Sequence, residues 1–122
     1  MSHIYLASPY TCTQYLEPAD NRKVEYERYM KALHATAYGI RKGFPIFSPI
    51  VHCHELATRF GFATDAGAWT TYNTHMLRGA SLLAILTLDG WDESKGVAQE
   101  LALAATLGIP VRHYDKFFEE VL

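Results

Sequence analysis

Short apolar runs alternate along this chain with longer segments in which apolar residues recur every three or four positions, the signature of strands alternating with helices. His3 to Ala7 reads as a buried strand that stops at Ser8-Pro9-Tyr10-Thr11, where proline breaks the ladder and small polar residues make a loop. Thr13 to Asn21 is polar, contains Pro18 and reads as a loop, with Asp20 or Asn21 capping the next helix. From Arg22 to Lys42, Met30, Leu33, Ala37 and Ile40 fall at helical spacing, with Arg22, Lys23, Glu25, Glu27 and Arg28 mostly on the outer side. Gly43 is a natural helix stop, and Phe44 to Phe47 gives a second strand.

Ser48 to Glu55 leaves that strand and is expected as a loop on the same sheet edge as Ser8 and Tyr10. Leu56 to Phe60 is expected as a short helix, 61–67 as a loop, and Ala68 to Gly79 as a helix with Trp69, Tyr72, Met76 and Leu77 inward. Ser81 to Leu88 is apolar nearly throughout, as a centre strand covered on both faces must be. Val97, Leu101, Ala104, Ala105 and Gly108 mark the stripe of a further helix, Ile109 to His113 a fourth strand, and Asp115 to Leu122 a closing helix. The pattern predicts one α/β domain over 1–122. It is a doubly wound parallel sheet of four to five strands in the order 2-1-3-4, with helices on both faces and ligands at the crevice between the first and third strands.

Composition narrows the partners. At 122 residues the chain can bury a core unaided, and a formal charge of −2 lacks the basic surface of a nucleic-acid binder. A small molecule is the expected partner, not a nucleic-acid polymer. Two cysteines, Cys12 and Cys53, are no disulfide framework and suit a reducing compartment. No apolar run approaches a membrane span, so a soluble cytoplasmic protein with no membrane partner is expected.

Three loops then meet at one sheet edge: Ser8 to Thr11, Ser48 to Glu55, and Asp89 to Gly96. The third is a strand-to-helix turn, where unpaired N–H groups and the helix dipole favour an anion. Ser94 can cap the helix or bind an anion, and Gly96 lets a phosphate or sugar approach the backbone. Glu100, one turn inside the helix, sits at the flank of the buried stripe. There burial raises a carboxyl's pKa while the helix N-terminus lowers it, and a nucleophile needs the second to prevail. The alternative reading of this turn is a capped helix start with Glu100 on the surface. His52-Cys53-His54, taken as extended, puts only His52 and His54 on one face; two ligands are too few, and neither metal nor cofactor is expected. One of these histidines lining the pocket is preferred to a metal site, and plain packing is preferred to both. Tyr10 and Trp91, in the two loops, are candidates to stack on a base.

Ile4-Tyr5-Leu6-Ala7-Ser8-Pro9-Tyr10, Phe47-Ser48-Pro49 and Ser94-x-Gly96-x-x-x-Glu100 together resemble the nucleoside 2-deoxyribosyltransferase-like superfamily. Within it, Gly90-Trp91-Asp92-x-Ser94-x-Gly96-Val97 followed by Glu100 resembles the DUF1937 family. The resemblance spans nearly the whole chain. It implies that Glu100 attacks the anomeric carbon of a nucleotide or nucleoside, forming a glycosyl-enzyme that passes to water or to another base. It also implies a homo-oligomer, dimer or tetramer, with the 68–79 helix or the first long helix as its interface. The family's nucleoside transferases carry an aspartate where Ser94 stands, whereas its monophosphate glycosidases carry a phosphate-binding serine, so Ser94 points to a monophosphate. Both groups carry an aspartate where Asn73 stands. An amide cannot protonate a departing base at neutral pH, which leaves Asp92 or Asp89 as the expected acid, or else a silent nucleotide-binding module. The C-terminal phosphate contact of the monophosphate hydrolases has no clear match in residues 116–122.

Overall fold

In the computed structural model of the chain, which describes residues 2–62 and 66–121, the two central strands sort the core into two layers. β1 (His3–Ala7) and β3 (Ala80–Leu86) run side by side and parallel, with Tyr5 level with Leu83 and Ala7 with Ile85. Ile4, Leu6, Ala84 and Leu86 face one layer, and Tyr5, Ala7, Leu83 and Ile85 face the other. β2 (Ile46–Phe47) and β4 (Val111–Tyr114) flank this pair in parallel, and β5 (Glu120–Val121) joins β4 antiparallel, giving the order 2-1-3-4-5. Residues of α1 (Pro18–Arg41) and α2 (Pro49–Phe60) fill the first layer; residues of α3 (Ala66–Arg78) and α4 (Lys95–Leu107) fill the second. The doubly wound 2-1-3-4 arrangement is present, with β5 added. Among the described residues, no helix is long and apolar enough to cross a membrane.

Several elements differ from the sequence pattern. α1 starts at Pro18 rather than Arg22, with Glu17 as its N-cap and Asp20 and Asn21 inside the helix. Proline suits the first helical turn because its missing N–H would have had no partner there. The buried face of α1 is Tyr29, Ala32, Ala35, Thr36 and Gly39, while Ile40 is exposed. Small residues let α1 lie close to the sheet: a Cβ on Gly39 would run into Ile46 and reach the Phe118 ring at 3.1 Å.

The expected loop Ser48 to Glu55 is instead most of α2. Ser48 is its N-cap, accepting a hydrogen bond from the Val51 N–H at 3.2 Å, Pro49 occupies the first turn, and Gly61 closes the helix at φ 73°. The loop expected over 61–67 lies partly outside the described residues, and α3 starts at Ala66 rather than Ala68.

The closing helix is absent, with Leu122 outside the described residues. The Asp115 carboxylate accepts hydrogen bonds from the Phe117 and Glu119 N–H groups at 2.9 and 3.0 Å, folding a turn in which Phe118 takes φ 56°. That turn stacks Phe118 on Tyr114, centroids 4.2 Å apart and planes within 7°, and leads into β5. Lys42 locks it by donating to the Phe117 and Phe118 carbonyls and pairing with Glu119 at 2.6 Å. Burial of the Phe118 ring outweighs local helix preference here.

Candidate functional site

The chain leaves β1 toward β2 on one side and β3 toward β4 on the other, so the C-terminal ends of β1 and β3 part at the switch point of the sheet. A cavity of about 450 Å3 opens there, within the usual range for small-molecule sites. Ser8 and Tyr10 enter it from the loop after β1, Cys53 and His54 from α2, Asn73 from α3, and Ser94, Gly96 and Glu100 from the start of α4.

Arg28, expected on the outer side of α1, fixes two of these loops. Its guanidinium donates to the carbonyls of Tyr10 and Thr11 at 3.2 and 3.0 Å. It also lies against Gly90, at φ 88°, where an added Cβ would come within 2.9 Å of it. One turn earlier, Glu25 accepts from the Cys12 N–H at 2.9 Å. The N-terminal half of α1 is therefore a scaffold for the β1–α1 loop.

At the start of α4, Ser94 is the N-cap, its hydroxyl accepting from the Val97 N–H at 3.2 Å. The same hydroxyl retains its proton for a ligand. A Cβ on Gly96 would meet nothing nearer than the Ser94 hydroxyl at 3.8 Å, so packing does not demand glycine there; its bareness widens the cavity.

Glu100 lies one turn deeper, partly buried against the cavity floor. Burial pushes its pKa up to about 7, while the Tyr5 hydroxyl beside it pulls the other way. Of the two opposed effects anticipated for this carboxyl, desolvation prevails. Burial, and then the Glu100 charge, drive the Tyr5 phenol far above its ordinary range, so Tyr5 stays protonated. Although the two groups influence each other, no well-formed hydrogen bond joins them. The Tyr5 hydroxyl, the Ser8 hydroxyl and the Asn73 amide oxygen are all buried without a hydrogen-bond partner among the described residues. Each such atom costs about 1–3 kcal/mol unless something polar fills the space. All three line this cavity.

On the opposite wall the Tyr10 hydroxyl and His54 Nδ1 are 2.7 Å apart. The His54 ring stacks on Tyr29, centroids 4.0 Å apart and planes within 17°. Burial pushes the Tyr10 phenol up to about 12 and the Cys53 thiol up to about 11. The His54 imidazole is pulled below its ordinary value by burial, against the opposing charges of Glu55 and Glu25.

Of the residues singled out by sequence, Ser8, Tyr10, Asn73, Ser94, Gly96 and Glu100 converge on the cavity, and His52, Trp91 and Asp92 do not line it. Because α2 is helical, residues two apart point about 200° apart around its axis. His52 is consequently exposed, stacked on Tyr72 at 5.1 Å and tilted against Phe47, and His54 is the histidine that reaches the pocket. Residues 91–93 form a 3-10 turn that folds Trp91 back onto His113, edge-on at 5.2 Å, and leaves Asp92 exposed. Cys53 and the Tyr5 hydroxyl escape the sequence pattern; of His52 and His54, one of which that pattern brings to the pocket, the Ser48-Pro49 helix start selects His54. Among the described residues, no cluster of three metal-ligating side chains occurs.

Sheet order, cavity and loop composition make this a doubly wound α/β protein with a carboxyl-bearing pocket at its switch point. The chain belongs to the family described as a domain of unknown function, DUF1937, whose model matches residues 2–116. No curated protein matches it.

Proposed function

We propose that the protein cleaves the base–sugar bond of a nucleoside 5'-monophosphate or nucleoside, with Glu100 as nucleophile. The observation that carries this reading is the grouping of Glu100 with three unpaired buried polar atoms, those of Tyr5, Ser8 and Asn73, in one cavity. Such a constellation suits a ligand dense in hydroxyl groups, which a sugar is. The resemblance to the nucleoside 2-deoxyribosyltransferase-like superfamily supports it independently, through the spacing Ser94-x-Gly96-x-x-x-Glu100.

In this mechanism a Glu100 oxygen attacks the anomeric carbon, the carbon–nitrogen bond breaks with its electron pair leaving on the base, and the sugar is held as an ester. Water then gives a hydrolase and a second base a transferase. The 5' end of the sugar rests on Ser94 and Gly96 at the start of α4, whose dipole favours phosphate. Attack needs the carboxylate, which forms as pH passes through about 7. The base lies toward Tyr10.

Incubating the protein with a panel of deoxynucleosides and their 5'-monophosphates, and assaying released base, tests this. Release is expected from at least one monophosphate and is abolished by Glu100→Ala. Silence across the panel, or release that survives that substitution, refutes it.

Asn73 favours a second reading, a nucleotide-binding module without catalysis, because its amide stands where the resembled enzymes carry an acid. A nucleotide that raises the melting temperature and is recovered intact supports that reading; a free base excludes it.

A further inference from the structure

We propose that Tyr10 and His54 are the proton-delivering pair of this pocket, Tyr10 touching the departing base and His54 acting through it. The inference rests on the glycosidic-cleavage reading above and supplies what that reading lacks, a source for the proton that a nucleobase takes as it leaves.

The geometry narrows the choice. Asp89 and Asp92 lie off the cavity, and Asn73 has no proton to give at neutral pH. Burial holds both the Tyr5 phenol and the Cys53 thiol protonated. Glu93 and Lys95 are exposed at the rim. What remains is the 2.7 Å contact between the Tyr10 hydroxyl and His54 Nδ1, both residues lining the cavity on the wall opposite α4.

The surroundings of His54 suit an imidazole that alternates between charged and neutral forms. Tyr29 stacks flat against it and Tyr26 lies 6.2 Å away, both on α1, and an aromatic face stabilises a cation laid over it. Glu25 of α1 and Glu55 of α2 favour the charged form, with Glu55 partly occupied by Arg59 at 2.5 Å; burial favours the neutral form. A donor whose charged form is disfavoured by burial gives up its proton readily.

The step balances as follows. The carbon–nitrogen bond breaks and its electron pair goes to the base nitrogen. Tyr10 passes its hydroxyl proton to that nitrogen and receives the proton of His54 Nδ1, so imidazolium becomes neutral imidazole and Tyr10 remains a phenol. With the hydroxyl donating to a neutral Nδ1, the same 2.7 Å contact describes the state after transfer. Solvent restores the imidazolium before the next turnover.

Two substrates separate the roles: a 2'-deoxynucleoside 5'-monophosphate, whose base needs a proton, and 4-nitrophenyl 2-deoxyriboside 5-phosphate, whose leaving group does not. Tyr10→Phe and His54→Gln are expected to slow release of the base by roughly 100-fold or more, in the range of general-acid catalysis, and release of nitrophenolate by less than about tenfold. With the nucleotide, imidazolium is lost below its ordinary range while the Glu100 carboxylate is still forming, so wild-type kcat/KM levels off and then falls as pH rises past neutrality, whereas in His54→Gln it follows the carboxylate alone and keeps its rise through about 7. Imidazole added to His54→Ala restores part of the base release. Equal losses on both substrates, or no loss on either, overturn the proposal while leaving the cleavage reading intact. If wild-type protein releases neither product, the cleavage reading fails and this inference falls with it. Nitrophenolate release also reports that each variant is folded.

Discussion

Glu100→Gln is expected to stabilise the protein at alkaline pH while destroying the proposed activity. An ordinary glutamate titrates at 4.5 and Glu100 at about 7, because the folded protein solvates its charge poorly. Each pKa unit is about 1.4 kcal/mol, so the ionised carboxylate costs the folded state roughly 3 kcal/mol at pH 8. The sign follows from proton counts. Between pH 4.5 and about 7 the folded chain holds a proton that the unfolded chain has released, so wild-type stability declines as pH rises across that window. Below it, both states are protonated and the cost disappears. Glutamine keeps the shape and carries no charge at any pH. The difference between Glu100→Gln and wild type should be near zero at pH 4, grow through the window, and level off at 2–3 kcal/mol above it, at roughly this precision. For 122 residues, the unfolding entropy of about 2.1 cal/mol/K per residue turns that into a rise in Tm of about 8–12 °C at pH 8. Thermal melts of both proteins from pH 4 to 9 measure it. A constant offset across pH, or a less stable Glu100→Gln protein at pH 8, refutes the argument that burial governs this carboxyl.

Two further outcomes follow from the packing and the caps. Gly39→Ala is expected to destabilise by about 1–3 kcal/mol in urea titrations, because its Cβ meets Ile46 and the Phe118 ring where α1 lies on the sheet. Ser94→Ala and Ser48→Ala each remove a helix N-cap and should each cost about 1 kcal/mol, but only Ser94→Ala should also weaken nucleotide-induced thermal stabilisation, since Ser48 does not line the cavity.

Strands β1 and β3 are legible because a strand buried on both faces leaves no polar position to confuse its pattern. That made the switch point legible too, and with it Ser8, Tyr10, Ser94, Gly96 and Glu100, which lie in the loops or first helical turns at one end of the sheet. Elements that begin with proline were misread. Pro18 and Pro49 looked like chain breaks, yet each stands in the first turn of a helix, where proline is favoured. Pro49 has the larger effect on the site: as an extended segment residues 52–54 put His52 and His54 on one face, whereas the helical period sends them apart and turns His54 to the cavity. Trp91 and Asp92 were misplaced because a loop's length says nothing about whether it will wind into a 3-10 turn. The last segment formed β5 rather than a helix because the Phe118 ring finds its partner in Tyr114, a tertiary contact no local window contains.

That same hairpin bears on how the protein meets its neighbours. A parallel sheet ending in β4 would present a row of unpaired backbone groups to any strand that came near, an invitation to aggregation. β5 covers part of that row, pairing His113 with Val121 and Tyr114 with Glu120, and among the described residues it is two residues long, as is β2 at the far side. With both margins of the sheet this short, backbone pairing between copies has little to grip. Were copies of this chain to associate, helix surfaces and side chains would have to carry the contact, where single substitutions can tune it.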